Sequence, residues 1–201
     1  VPLLRESFEA RRPFGDALSR KLLRDFRLYM LVGGMPQAVS TYLDTLNLAD
    51  VDRKKREIID IYIDDFQKID PSGKISKLFS AIPAQLSKNA SRFQQSSIIG
   101  RGYPSETVDE FLRDMEDSLT VNFAHHSDNP EVGLPSHTDY GQYKLYMGDT
   151  GLFITLAFWN NDFSDNEIYG KLLSDKLSVD LGYVYENIVA QMLVASGHKL
   201  F

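Results

Sequence analysis

A carboxylate inside an apolar helix is the feature of this sequence most able to carry chemistry. The stretch from Gly182 to Val194 is apolar nearly all round, and Glu186 is its only charged residue. Burying an unpaired carboxylate is costly, so such residues are either paired or functional. The readings stay open: an acid belonging to a catalytic or metal site, a residue whose partner comes from a neighbouring element, or one on a helix edge that is less buried than the periodicity suggests.

Other candidates reduce to structure. Asp64 and Asp65 have the composition of an acid-base or metal pair, but neighbouring positions on a helix do not face each other, and a solvated helix end accounts for them. His125 and His126 would point to opposite faces of a strand. With His137, they read as strand and loop histidines rather than as a metal cluster. A P-loop needs G-x-x-x-x-G-K-[ST] to cradle phosphates and hold magnesium. The two Gly-Lys pairs, Gly73-Lys74 and Gly170-Lys171, lack both the earlier glycine and the following hydroxyl. Gly33-Gly34 and Gly100-Arg101-Gly102 read as turn glycines.

Charge is distributed unevenly. Between Lys74 and Gly102 lie Lys74, Lys77, Lys88, Arg92 and Arg101 and no acid, so the segment is locally +5. These five are the candidate nucleic-acid contacts, through backbone phosphates. Directly afterwards Glu106, Asp109, Glu110, Asp114, Glu116 and Asp117 outweigh Arg113. A third helix of this charge would set its carboxylates against the phosphates in a major groove, which argues against ordinary recognition-helix docking. A third reading has the basic stretch packing on the acidic helix.

The whole chain bounds what these residues can do. Its 201 residues suffice for a core without staples, and 43% hydrophobic with 25% charged residues is an ordinary globular composition. No apolar run nears the roughly 18 residues of a spanning helix. Zero cysteines exclude disulfides, thiolate metal sites and a cysteine nucleophile, and suit a reducing cytoplasm. The net charge of −6 opposes general coating of nucleic acid. Val1 is not a methionine and an apolar pattern resumes after Gly197, so the chain reads as a segment cut from a longer protein.

The expected elements follow from period and punctuation. Asp16 caps a helix bearing Leu18, Leu22, Leu23, Phe26, Tyr29 and Met30, ended by Gly33-Gly34. Pro36 opens a second helix, and Asp50 a longer one with Ile58, Ile59, Tyr62, Ile63 and Phe66 on one stripe, closed by Asp70-Pro71-Ser72-Gly73. From Lys74 a helix runs to Pro83, which kinks it or starts a new turn. A short helix is expected around Ser91 to Ile99. Thr107 and Glu110 have capping-box spacing ahead of Val108, Phe111, Leu112, Met115 and Leu119. Strands are expected around Leu119 to Ala124 and at Tyr143 to Met147. Three helices followed by two strands is the order of a winged helix. The helix of Glu186 should be buried on most of its surface.

Five blocks carry a family resemblance: Arg27-Leu28-Tyr29-Met30-Leu31-Val32-Gly33-Gly34-Met35-Pro36-Gln37-Ala38-Val39, Ile61 to Phe66, Ile82 to Leu86, Lys144-Leu145-Tyr146-Met147-Gly148-Asp149-Thr150-Gly151-Leu152, and Gly182 to Val189. In order and spacing they resemble the C-terminal half of prokaryotic AAA+ ATP-binding proteins that end in a domain of unknown function. The resemblance covers almost the whole chain. It implies a mostly α (α+β) fold in three parts. Residues 1–72 would be a helical segment like the tail of the ATPase lid, and 73–148 a winged-helix unit with a small sheet. Residues 149–201 would be a connecting helix and the first helix of a truncated restriction-endonuclease-like α/β domain. ATP and magnesium would belong to a preceding ATPase domain, with no cofactor bound by this segment. Glu186 would be a remnant of a nuclease-like site whose other acids lie beyond Phe201, leaving the segment without catalysis. The implied partners are the N-terminal ATPase domain of the same protein and a protein partner. The alternative is DNA, in a nucleic-acid-processing protein.

Overall fold

The computed structural model describes residues 2–13, 15–88, 90–100, 105–129, 137–160, 166–174 and 181–201. The first part is helical: α1 (Pro2–Glu9), α2 (Asp16–Val32), α3 (Pro36–Thr45) and α4 (Leu48–Ile69). Gly33 ends α2 with a φ of 80°, a left-handed conformation that glycine adopts without strain, and Pro36 fills the first turn of α3. Two expected helix starts shift. Gly15, not Asp16, is the residue before α2. The long helix opens at Leu48 rather than Asp50, because the Asn47 side chain already accepts from the Ala49 amide at 3.0 Å.

The middle part comprises α5 (Lys74–Ser80), α6 (Ile82–Ser87), α7 (Gln95–Ile99) and α8 (Ser105–Asp117), then strands β1 (Val121–Ser127) and β2 (Thr138–Met147). Pro83 begins a new helix, α6, in whose first turn it sits. Helix α8 starts at Ser105, which places Thr107 inside the first turn instead of at the cap. Val108, Leu112 and Met115 form its buried stripe. Leu119, expected to continue that stripe, is 71% exposed with a φ of 58°, where the chain reverses into β1. The strands pair antiparallel, with Val121 opposite Met147 and Phe123 opposite Leu145, and the register slips between His125 and His126. A Cβ on Gly148 would overlap the Leu119 carbonyl oxygen, so the close return of β2 past that turn requires glycine.

The last part holds α9 (Thr150–Ala157), α10 (Asn166–Ser174) and α11 (Gly182–Ala195). Helix α9 is the centre of the molecule. Every residue from Thr150 to Leu156 is buried, against α2, α4, α6 and α11. One cluster of buried side chains runs from Met30 and Ile59 through Phe79, Leu112 and Leu145 to Phe153 and Ile188. Packing thus crosses both sequence boundaries, at 72/73 and 148/149. The expectation for α11 needs correcting. Val184, Asn187, Ile188 and Ala190 are buried, but Tyr185, Val189, Met192 and Leu193 are 38% to 53% exposed. The helix packs on α9 and the sheet from one side, and contact on one side buries one stripe however apolar the rest is. Among the described residues the fold is mostly helical with one two-stranded antiparallel sheet, and no helix is long and apolar enough to cross a membrane.

Candidate functional site

The polar residues of α11 project onto the end of β2 and the start of α9. Asn187, fully buried, accepts from the Met147 amide at 2.8 Å and donates to the Met147 carbonyl at 3.3 Å and to Thr150 Oγ1 at 3.2 Å. Gln191 Oε1 accepts from the Thr150 amide and hydroxyl at 2.9 and 2.7 Å. Glu186 is the third of this set. Its Oε1 accepts from Lys144 Nζ and from the Tyr146 hydroxyl, both at 2.7 Å. Desolvation pushes the Glu186 carboxyl upward, but the bonds from Lys144 and Tyr146 and the Lys144 charge outweigh it and hold the group below its ordinary value. The partner that the sequence left open is therefore β2. Beside the pair runs a groove of about 450 Å³ between α11, Ala124 and the segment ending at Leu200 and Phe201. Leu200 makes a single parallel bridge to Ala124. The exposed apolar face of α11 forms one wall.

A second polar cluster lies at the centre, on α4. Lys55 is fully buried and donates to the Leu31 carbonyl at 2.6 Å and to the Gly151 carbonyl at 3.2 Å. Burial lowers its pKa to about 8, against the opposing pull of Asp52 and Asp149. Asp52 accepts from Arg56 at 2.8 Å, from Thr155 at 2.9 Å and from the Tyr169 hydroxyl. Desolvation and the Asp52 charge push that hydroxyl's pKa upward. Arg56 also donates to the Trp159 carbonyl and lies 4.9 Å from the Trp159 ring centroid. Each buried charge is thus met by a counter-charge or by carbonyls, as burial demands.

The same centre joins two glycine turns that are distant in sequence. Asp149 caps α9 through the Leu152 amide at 2.8 Å and reaches across to the Gly34 amide at 2.6 Å. Gly33 and Gly151 touch backbone to backbone. A Cβ on Gly151 would come within 2.6 Å of the Gly33 Cα and 2.7 Å of the Val32 carbonyl oxygen. Lys55 bonds to both sides of this joint. The arrangement is a rigid clamp between the end of α2 and the start of α9, and its carboxylates and amine are all committed to protein partners.

The candidate phosphate contacts differ in exposure. Lys77, Lys88 and Arg92 are exposed, Lys74 is half-buried, and Arg101 lies outside the described residues. Among the described residues no ion pair joins Lys77, Lys88 or Arg92 to α8, so the reading in which the basic stretch packs on the acidic helix finds no support from them. Asp64 and Asp65 are exposed, and Asp65 pairs with Lys68 at 2.8 Å. His126 lies 3.4 Å from Asp128, and no group of three or more metal-ligating side chains occurs among the described residues.

Among the described residues, the Gly73-Lys74 turn does not fit a phosphate. The Gly73-Lys74 turn opens a helix, but its amides are already taken. The buried Asp70 carboxylate accepts from the Ser72, Lys74 and Ile75 amides at 3.0, 2.8 and 3.1 Å. A phosphate at this turn would have to displace that carboxylate.

Sequence reasoning passed over Lys55, Asp52, Asn187 and Gln191. A signal existed for the first two: Val51, Lys55, Ile58 and Ile59 share one helical stripe with Asp52 beside it, so an amine stands where the period calls for an apolar residue. Asn187 and Gln191 carried no such signal, since uncharged amides in an apolar helix are common at edges.

A family profile described as Domain of unknown function (DUF8612) matches residues 23–162. The matched span runs from α2 to just past α9 and contains both glycine turns, Lys55 and Asp149. No curated protein and no solved structure matches the chain.

Proposed function

The chain belongs to the DUF8612 family of domains of unknown function, and on that premise we propose that it is a non-catalytic interaction module, the C-terminal part of a cytoplasmic, prokaryotic AAA+-type ATP-binding protein. The observation that carries the reading is the apolar face of α11. Tyr185, Val189, Met192 and Leu193 recur at i, i+4, i+7 and i+8 and are exposed together. A contiguous exposed stripe of this spacing marks a surface that packs on another element. The nearest carboxylate, Glu186, is neutralised by Lys144 within the chain, so a partner on this face has no buried charge to answer. The finer assignment rests on the resemblance. Its two most specific blocks, around Gly33-Gly34 and Asp149-Thr150-Gly151-Leu152, are in direct contact, which suits a helical lid tail braced on α9. In this reading residues 73–148 are a winged-helix unit, and residues 149–201 begin a nuclease-like domain. ATP and magnesium belong to the preceding ATPase domain.

One observation favours the second reading, DNA binding. Lys77, Lys88 and Arg92 are exposed and unpaired with α8. Against it stand Glu106, Glu110, Asp114 and Asp117, exposed along α8. Fluorescence anisotropy with labelled duplex and single-stranded DNA over a range of salt separates the two. The interaction module gives no binding even at low salt. Micromolar binding with a log-log salt slope of about −4, abolished when Lys88, Arg92 and Arg101 are changed to Glu, would replace it with the DNA reading.

A further inference from the structure

The turn from β2 into α9 is held by two elements at once. From α11, Asn187 bonds to both the amide and the carbonyl of Met147, and Gln191 accepts from the amide and the hydroxyl of Thr150. Thr150 Oγ1 joins the two, because it also accepts from Asn187 at 3.2 Å. From the turn that ends α2, the Gly34 amide donates to Asp149, and Gly33 lies against Gly151. Lys55 fastens the Gly151 carbonyl to that of Leu31. One bond links the two holders directly: Gln191 Nε2 donates to the Tyr29 hydroxyl on α2 at 3.3 Å. Met147, Asp149, Thr150, Gly151 and Asn187 are all buried, so the centre of this joint is closed to solvent.

Such a joint makes its two holders depend on each other. The Thr150 amide is the first of α9, where no preceding helical turn supplies an acceptor, and Gln191 fills that place. A helix start that loses its side-chain acceptors frays within its first turn. Fraying here moves Asp149 and Gly151, on which the Gly33-Gly34 turn rests. The reverse holds as well, since release of Gly34 frees Asp149, whose other oxygen caps α9 at the Leu152 amide. We propose that the end of α2, the first turn of α9 and α11 open as one unit, at a lower cost than unfolding of the whole chain. The coupling is reciprocal: whatever holds one of the three closed holds the others. Its consequence for binding rests on the reading of α11 as a docking face, in which a partner seated on α11 also keeps the Gly33-Gly34 turn closed.

The test is native-state hydrogen exchange of the full chain in low concentrations of urea, read by NMR. No partner is added, so the coupling stands or falls apart from the docking reading. The amides of Gly34, Leu152 and Ile188 are expected to share one opening free energy and one urea dependence, shallower than that of the slowest amides of the chain. In Gln191→Met, which removes the acceptor of the Thr150 amide and hydroxyl, all three should exchange about tenfold faster. Three different urea dependences in the wild type would overturn the proposal, because the segments would then open separately. So would a dependence as steep as that of the slowest amides, which would mean that they open only with the whole chain. Faster exchange in Gln191→Met at Ile188, with Gly34 and Leu152 unchanged, is the third contrary result. If Gln191→Met does not fold, the urea dependences of the wild type decide alone.

Discussion

Replacing Lys55 with methionine is expected to destabilise the fold by about 3 kcal/mol at neutral pH, because the Leu31 and Gly151 carbonyls lose their common donor inside the core. Asp52 keeps Arg56, Thr155 and Tyr169, so the loss falls on the carbonyls and not on an orphaned carboxylate. The effect has a pH signature. The folded-state pKa of Lys55 is lowered to about 8, below its value in the unfolded chain. Between the two values the unfolded state binds more protons, so wild-type stability gains as pH rises. Denaturant unfolding should show the gap between wild type and Lys55→Met widening by about 1 kcal/mol from pH 8 to pH 9. The window closes near pH 10.5, the ordinary lysine value, above which neither state holds the proton. A gap that stays constant from pH 7 to pH 9 would mean that Lys55 titrates in the folded chain as it does in water.

Gly151→Ala should cost about as much, by a different route. The new methyl group would meet the Gly33 Cα and amide nitrogen and the Val32 carbonyl, all of them backbone, so α2 and α9 must separate. Overpacking against atoms that cannot rotate away costs about 3 kcal/mol. Gly170→Ala is the contrasting case. Its methyl meets nothing within 4 Å in the middle of α10, and stability should rise by several tenths of a kcal/mol. Thermal and denaturant unfolding of the two variants check both signs. Because Lys55 bonds to the Gly151 carbonyl, the double variant Lys55→Met, Gly151→Ala should lose less than the sum of the single losses.

These residues also mark how far the sequence could be read. Local punctuation was readable where the deciding atoms are close along the chain: Gly33 ends α2, Pro36 starts α3, Pro83 starts α6, and Asp70 to Gly73 close α4. It failed by two residues where a side chain just upstream took the cap, as Asn47 does for α4. The clamp is a different matter. Asp149 and Gly34 are 115 residues apart, and nothing local to either says that one caps the other. The two blocks stood out as a pair in the sequence, but their contact is a property of the packed molecule. The same applies to Glu186. That its carboxylate needs a partner could be inferred from the apolar helix around it, but Lys144 and Tyr146 come from a strand some 40 residues earlier, and only the packing of α11 on β2 supplies them. Helix α11 was misjudged for a related reason. Its composition fits burial on all sides, but how many sides are covered depends on its neighbours.

The reading of α11 as a docking face is tested most directly by site-specific photo-crosslinking in the producing cell. A benzophenone amino acid is placed at Val189, on the exposed stripe, and in a parallel variant at Lys88, on the basic segment. Polypeptide adducts of one defined mass from position 189, absent when Met192 is also changed to Glu, together with no nucleic-acid adduct from position 88, are the expected result. Nucleic-acid adducts from position 88 with no polypeptide adduct from position 189 would contradict the account and assign the working surface to Lys77, Lys88 and Arg92.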